Sequence, residues 1–344
     1  MVALSVYFHE RFLDHDTGAW HPESSVRLVA ARRALASADV PFEWREPSPA
    51  TTAQVARVHA PEYIQSVERL ADRSGGALDM DTHVSPASYE AALLAAGAGV
   101  EAVKRAVSVG ERAFLLVRPP GHHAVRSRGM GFCIFNNVAV AAAYARAELG
   151  VERVLIFDWD VHHGNGTQDA FYQDPTVLYA SMHLRNHYPG TGAAFEVGAG
   201  PGKGFTMNVP LSHGAGDGLV KHLFEAVLEP MAREFRPGLV LISSGYDSQQ
   251  GDPLGGLRLS ADAFHWMALR FAQMADELEA AGPVCFLEGG YEPELLAGSV
   301  VRTLEGLAGR VVNFIPEVSD SDHAEVTSTV NALREHWSVL DEVH

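Results

Sequence analysis

Short apolar runs recur along this chain, and the spans between them carry apolar residues at helical spacing. The clearest run, Val154 to Phe157, predicts a buried strand. Residues 3–8 predict a first strand, and Ala113–Val117, Val177–Met182, Thr206–Val209, Leu239–Ser243 and Val284–Leu287 predict the others. Helices are predicted over Ser24–Ala36, Thr51–Val58, Pro61–Ala71, the alanine-rich Tyr89–Val107, Asn136–Leu149, Gly218–Glu234, Ala261–Ala280 and Pro293–Leu307. Asp14–Pro22 and residues 72–86 are polar and rich in turn formers, and read as loops. Strand and helix alternate, which predicts an α/β fold with a mostly parallel sheet covered on both faces. No internal repeat, low-complexity tract or linker interrupts the pattern, so residues 1–344 read as one domain. From Asn313 the chain turns more polar. This tail, about 313–344, is expected to pack on the rest, with a final helix near Thr327–Leu340.

Composition narrows the partners. With 344 residues, 47% of them hydrophobic, the chain can bury a large core. A net charge of −17 argues against nucleic acid as a main partner and would suit cationic substrates. The two cysteines, Cys133 and Cys285, match no zinc or redox spacing, which fits a reducing compartment. Met1–Tyr7 lacks the basic lead and long apolar core of a secretory signal. No apolar stretch free of charge reaches membrane-spanning length. The expectation is a cytoplasmic protein without a membrane partner.

The chemistry gathers after the strands. Past Phe157 the chain reads Asp158-Trp159-Asp160-Val161-His162-His163-Gly164-Asn165-Gly166. In extended chain Asp158, Asp160 and His162 share a face, at the sheet edge where open α/β sheets bind ligands. Two carboxylates and an imidazole suit a divalent metal, zinc first. After Val117 comes Arg118-Pro119-Pro120-Gly121-His122-His123, a stiff turn presenting two imidazoles fit for a general base and its partner. Gly129-Met130-Gly131-Phe132-Cys133-Ile134-Phe135-Asn136-Asn137 offers close backbone approach and an aromatic wall, or simply a turn capped by asparagine. Ser243-Ser244-Gly245-Tyr246-Asp247-Ser248 offers Asp247 as a third metal ligand or as a helix cap. Glu288-Gly289-Gly290-Tyr291 offers a tyrosine hydroxyl to a developing oxyanion. Taken singly, each of these reads better as a turn, a cap or an incidental pair. Five together, four of them at strand ends, point to a site.

These motifs, in this order from about residue 5 to 310, resemble the zinc-dependent histone deacetylase family, including the bacterial histone deacetylase-like amidohydrolases and acetylpolyamine amidohydrolases. The resemblance implies the three-layer arginase-deacetylase fold. It implies one zinc per chain on Asp160, His162 and Asp247. His123 would be the general base, His122 its neighbour paired with Asp158, and Tyr291 the oxyanion donor. Gly131, Phe132, Tyr188, Leu254 and Gly290 would meet the substrate, with Phe132 and Tyr188 as tunnel walls. Tyr188 departs from the phenylalanine more usual there. A structural potassium ion would sit near Asp158, Asp160, His162, Ser181 and Met182, and a second near Phe171, Asp174, Val177 and Phe205. Asn165, where many class I members have aspartate, places the chain in the class II-like group.

The implied reaction is hydrolysis of an N-acyl amide. Two carboxylates largely neutralise zinc, so a separate base is required. Acylated lysine is one substrate class. Acetylpolyamine is the alternative, and the two differ at the rim. Leu254 offers no charge to a distant ammonium, but Asp79, Asp81 and Glu90 in the acidic early loop keep polyamines open. A binuclear manganese ureohydrolase needs a second bridging aspartate motif, and Ser248 follows Asp247 instead. A non-catalytic acyl-lysine-binding module is the reading from another class. The sequence leaves homo-oligomerisation open.

Overall fold

The computed structural model describes residues 3–341 and 343. Its centre is an eight-stranded sheet in the order β2-β1-β5-β10-β9-β6-β7-β8. The strands are β1 (Leu4–Tyr7), β2 (Glu43–Arg45), β5 (Arg112–Leu115), β6 (Val154–Asp158), β7 (Val177–Leu184), β8 (Thr206–Leu211), β9 (Leu239–Ser244) and β10 (Ala281–Leu287). Every pairing in this sheet is parallel. All five residues of β6 are buried, and so are all six of β9. A strand covered on both faces needs apolar side chains on both, so these strands read as continuous apolar runs.

The helices lie against the two faces: α1 (Val26–Ser37), α2 (Thr52–Val55), α3 (Pro61–Asp72), α4 (Ser88–Val109), α5 (Asn137–Glu148), α6 (Asn165–Phe171), α7 (Asp217–Leu223), α8 (Glu229–Phe235), α9 (Ala261–Glu277), α10 (Pro293–Leu307) and α11 (Asp320–Leu333). Helix α5 starts where Asn136 caps it, its side chain accepting from the Ala139 N–H at 3.0 Å. This is the three-layer arginase-deacetylase fold. No helix among the described residues is long and apolar enough to cross a membrane.

Several elements depart from the pattern. The predicted helix over 218–234 is α7 and α8 joined by a π-turn at Phe224–Leu228. Pro230 in the first turn of α8 has no N–H to donate, and the wider turn absorbs that loss. The tail helix begins at Asp320 rather than near Thr327, because Ser319 and Asp322 form a reciprocal capping box. It ends at Leu333, not Leu340. Thr52–Val55 is shorter than predicted, with its own capping box from Thr51 and Gln54. The loop over 72–86 holds a small antiparallel pair, β3 (Gly76–Ala77) and β4 (His83–Val84). The edge strand β2 and the helix α6 carry no predicted counterpart.

Candidate active site

Four neighbouring strands, β5, β10, β9 and β6, end along one edge of the sheet. Register sets Asp158 beside Ser243 and Leu287 beside Ser244, so the segments that follow leave the sheet side by side. This is why four motifs scattered over some 170 residues of sequence converge. Glu288, just past β10, ties two of them together. Its Oε2 accepts from the Gly121 N–H at 2.6 Å and the His122 N–H at 3.1 Å.

Asp160, His162 and Asp247 are buried, and their ligand atoms lie within 4.8 Å of one another. His162 Nδ1 is 3.0 Å from Asp160 Oδ1 and 3.2 Å from Asp247 Oδ2. Asp160 accepts from the His162 and Gly289 N–H groups at 2.8 Å each. Asp247 Oδ1 accepts from the Val161 N–H, while its Oδ2 is buried without a hydrogen-bond partner. A side chain on Gly289 would collide with that same oxygen. Burial and the neighbouring Asp160 push the Asp247 carboxyl up to about 7. An orphaned carboxylate oxygen facing a second carboxylate and an imidazole is a cradle for a divalent cation, and the donor set fits zinc. Asp247 caps no helix: the next one, Ala261–Glu277, is capped by Ser260.

Asp158 does not join this cluster. The strand ends at Asp158, so period-2 alternation no longer governs the residues after it. Its Oδ2 turns to His122 Nδ1 at 2.9 Å. Burial alone would lower the His122 imidazole, but Asp158 and Asp160 outweigh it and raise it to about 10. The next ring behaves oppositely. His123 is held well below its usual range by burial, then by His122 and His162. Its Nδ1 bonds Asn165 Oδ1 at 2.8 Å, and a neutral amide cannot compensate as a carboxylate would. Their surroundings thus push the two adjacent imidazoles in opposite directions. Ser181 bonds His183 Nδ1 at 2.9 Å, and Met182 is buried in β7.

His123, His162 and Tyr291 open on a cavity of about 350 Å³, walled by Gly131, Phe132, His187 and Tyr188. Asp81 and Pro253–Gly255 complete its lining. Phe132 has φ of 68°, a left-handed conformation costly for a phenylalanine and held by the Thr82 hydroxyl, which accepts from its N–H. Gly131 is required, since a Cβ there would strike the His123 ring. The Tyr188 ring meets His123 edge-on at 5.0 Å, and Phe132 meets Tyr291 at 5.7 Å. Gly290 does not line the cavity; it lies behind, where its carbonyl accepts from Arg27 Nε at 2.6 Å. Of the three rim acids, only Asp81 lines the mouth. Asp79 caps the Asp81 and Thr82 N–H groups, and Glu90 pairs with Arg11.

Sequence reasoning missed His187, whose ring stacks on His162 at 4.9 Å and whose Nε2 bonds the Leu254 carbonyl. Its position just before Tyr188 was the available signal. It also missed the buried group behind Tyr291. Glu23 pairs with Arg118 at 2.5 Å and Arg27 at 2.9 Å, all three buried. Arg27 donates to the Glu288 carbonyl and lies 5.1 Å over the Tyr291 ring. Burial would raise the Glu23 carboxyl, but Arg118 and Arg27 outweigh it and hold it well below the carboxylate range.

Fold and site together define a hydrolase of the deacetylase kind. The chain belongs to the histone deacetylase family: the histone deacetylase domain matches residues 21–307. It is 42% identical to the uncharacterized protein slr0245 of Synechocystis, over 88% of this chain and 99% of that one. It is 38% identical to the histone deacetylase-like amidohydrolase of Pseudomonas aeruginosa, over 78% of this chain and 71% of that one. The crystal structure of the HDA15 HD domain superposes with a TM-score of 0.91 at 36% identity, covering 99% of this chain and 97% of the other.

Proposed function

We propose that this protein is a zinc-dependent amidohydrolase that removes acetyl or other acyl groups from N-acyl-lysine or related N-acyl amines. One observation carries the reading: the buried Asp160–His162–Asp247 cluster lies at the foot of an aromatic-walled cavity, beside a neutral histidine. When bound there, zinc supplies a Lewis acid for the amide carbonyl and makes water more acidic. His123, neutral and open to the cavity, takes the proton from the attacking water. His122 stays protonated against Asp158 and keeps positive charge beside the reaction. Tyr291 donates its hydroxyl to the oxygen on which negative charge develops. The proton held on histidine then passes to the leaving amine. Phe132 and Tyr188 grip the aliphatic stem and exclude water.

The remaining site residues fit around this scheme. Asn165 orients His123, and Leu254 supports the substrate at the rim. A structural potassium near Asp158, Ser181 and Met182 belongs to the same proposal, as does a single domain with the tail packed on it. The Trp337 indole donating to the Gly204 carbonyl supports that packing.

Asp81 at the mouth favours a second reading, an acetylpolyamine amidohydrolase, since a carboxylate there can meet a distant ammonium. A binuclear manganese site is disfavoured. Asp158 is engaged with His122, and Ser248 donates to the Trp159 carbonyl instead of offering a second carboxylate. The test is hydrolysis of acetyl-lysine peptides and acetylated polyamines side by side, with metal analysis of the same sample. We expect turnover that chelation abolishes and zinc restores. Failure of zinc-replete protein to hydrolyse any N-acyl amine would overturn the proposal.

A further inference from the structure

The loop after β7, residues 185–198, carries His187 and Tyr188 at its tip. The tip is lightly held. Tyr188 is 36% exposed, and Gly190 lies in open space at φ of 86°. Its tie to the opposite rim is His187 Nε2 donating to the Leu254 carbonyl. The far arm of the loop is bound more firmly, outside the cavity. Glu196 accepts from the Gly192 N–H at 3.2 Å, the Ala193 N–H at 3.1 Å and Gln168 Nε2 of α6 at 2.7 Å. Gln168 is buried, and its Oε1 accepts from His163 Nε2 at 3.0 Å and from Asn208 Nδ2 of β8 at 2.7 Å. Gly192 presses on the same group. Its carbonyl accepts from His183 Nε2 at 2.9 Å, and a Cβ there would strike both the His183 and His163 rings. The Thr191 hydroxyl lies 2.8 Å from His163 Nδ1. The loop thus grips His162 and His163 from two sides, with His187 stacked on the first and the arm fixed to the second.

We propose that Glu196 is a positioning residue for substrate: by fixing the arm of this loop to α6, it sets Tyr188 against His123 and His187 against His162. This rests on the amidohydrolase reading above, in which Tyr188 grips the aliphatic stem. Neither Glu196 nor Gln168 lines the cavity, so both act through the loop. A carboxylate accepting from three donors is a stronger tie than a neutral acceptor. Glycines at 190 and 192 leave the backbone free to swing once that tie is gone. The groups nearest the chemistry have other supports. His123 rests on Asn165, His122 on Asp158, and the Tyr291 N–H on the Asp252 carboxylate. Loss of Glu196 therefore loosens the wall and leaves the reacting groups in place. A contact made equally with bound substrate and with the transition state shows in KM and not in kcat.

The test is Glu196→Ala, with steady-state kinetics on an acetyl-lysine peptide and hydrogen exchange of the loop amides. KM should rise about tenfold, because apparent affinity falls with the fraction of molecules that hold the loop in place. The kcat should stay within about twofold. Exchange over residues 187–193 should quicken by a similar factor of about ten, while Val177–Leu184 stays protected. Glu196→Gln keeps an acceptor for the Gly192 and Ala193 N–H groups and should fall between wild type and Glu196→Ala in both readouts. A lower kcat at unchanged KM, with a lower melting temperature, would make Glu196 a residue of the fold alone and overturn the proposal. Unchanged exchange across the loop overturns it as well. If wild type hydrolyses no N-acyl amine, the amidohydrolase reading fails by itself, and exchange still decides whether Glu196 holds the Tyr188 loop.

Discussion

Glu23→Gln removes the carboxylate between Arg118 and Arg27 while nearly preserving shape. Both arginines are buried: Arg118 Nε and Nη2 lie 2.5 and 2.7 Å from the carboxylate, and Arg27 Nη1 lies 2.9 Å away. The backbone carbonyls that also accept from them cannot neutralise two guanidinium charges. Breaking a buried pair by removing one partner typically costs about 3–5 kcal/mol, because the other charge is left uncompensated. A chain of 344 residues has an unfolding entropy of roughly 0.7 kcal/mol/K, so Tm should fall by roughly 4–7 °C. The control is Glu294→Gln. Glu294 pairs with Arg33 at 2.5 Å, but both side chains are 68% exposed, and such surface pairs contribute about 0–1 kcal/mol. The assay is thermal and urea unfolding of both variants and wild type. Turnover of Glu23→Gln should also fall well below its melting range, since Arg27 holds the Glu288 and Gly290 carbonyls behind Tyr291. The pH dependence has a definite sign. The Glu23 carboxyl is held below its ordinary value of 4.5, so its contribution is complete above that pH and is lost as pH falls through the folded value. The wild-type advantage over Glu23→Gln should therefore shrink in acid and stay level above neutrality. Equal, small losses in Glu23→Gln and Glu294→Gln would refute the reasoning.

Asp247→Ala should lose most bound zinc, because it deletes one of three donors; metal analysis showing stoichiometric zinc at unchanged affinity would sink the assignment. Tyr291→Phe should keep its fold and lose about 10²–10³ in kcat, the usual size for one oxyanion donor, and near wild-type turnover would remove that role. Wild-type kcat/KM should favour acetyl-lysine peptides over acetylputrescine, and Leu254→Glu should move the ratio toward polyamines by up to about fivefold, the limit for an exposed charge pair. A wild-type preference for acetylputrescine would shift the rim argument to Asp81.

The sequence by itself determined most strands of the sheet and where the candidate site residues leave them. The apolar runs became β6 and β9 because strands covered on both faces admit little else, and the polar residues released after them had to emerge at one edge. Elements whose stability is local or marginal were less legible. The edge strand β2 has three residues, two of them exposed, and leaves no apolar run. Helix α6 starts among glycines that argue against a helix, and the His122 carbonyl accepts from the Gly166 and Thr167 N–H groups at its first turn. Strand order was settled only by packing, and it put β5, β10, β9 and β6 side by side. With that came the meeting of Asp247 with Asp160, the turning of Asp158 toward His122, and the choice of Asp81 over Asp79 and Glu90 at the mouth. Arg27 reaches a carbonyl 263 residues away, and Glu23 joins Arg118 across 95. Periodicity reports which face of an element is buried. Which buried charges then meet depends on distances between elements, and only the folded chain fixes those.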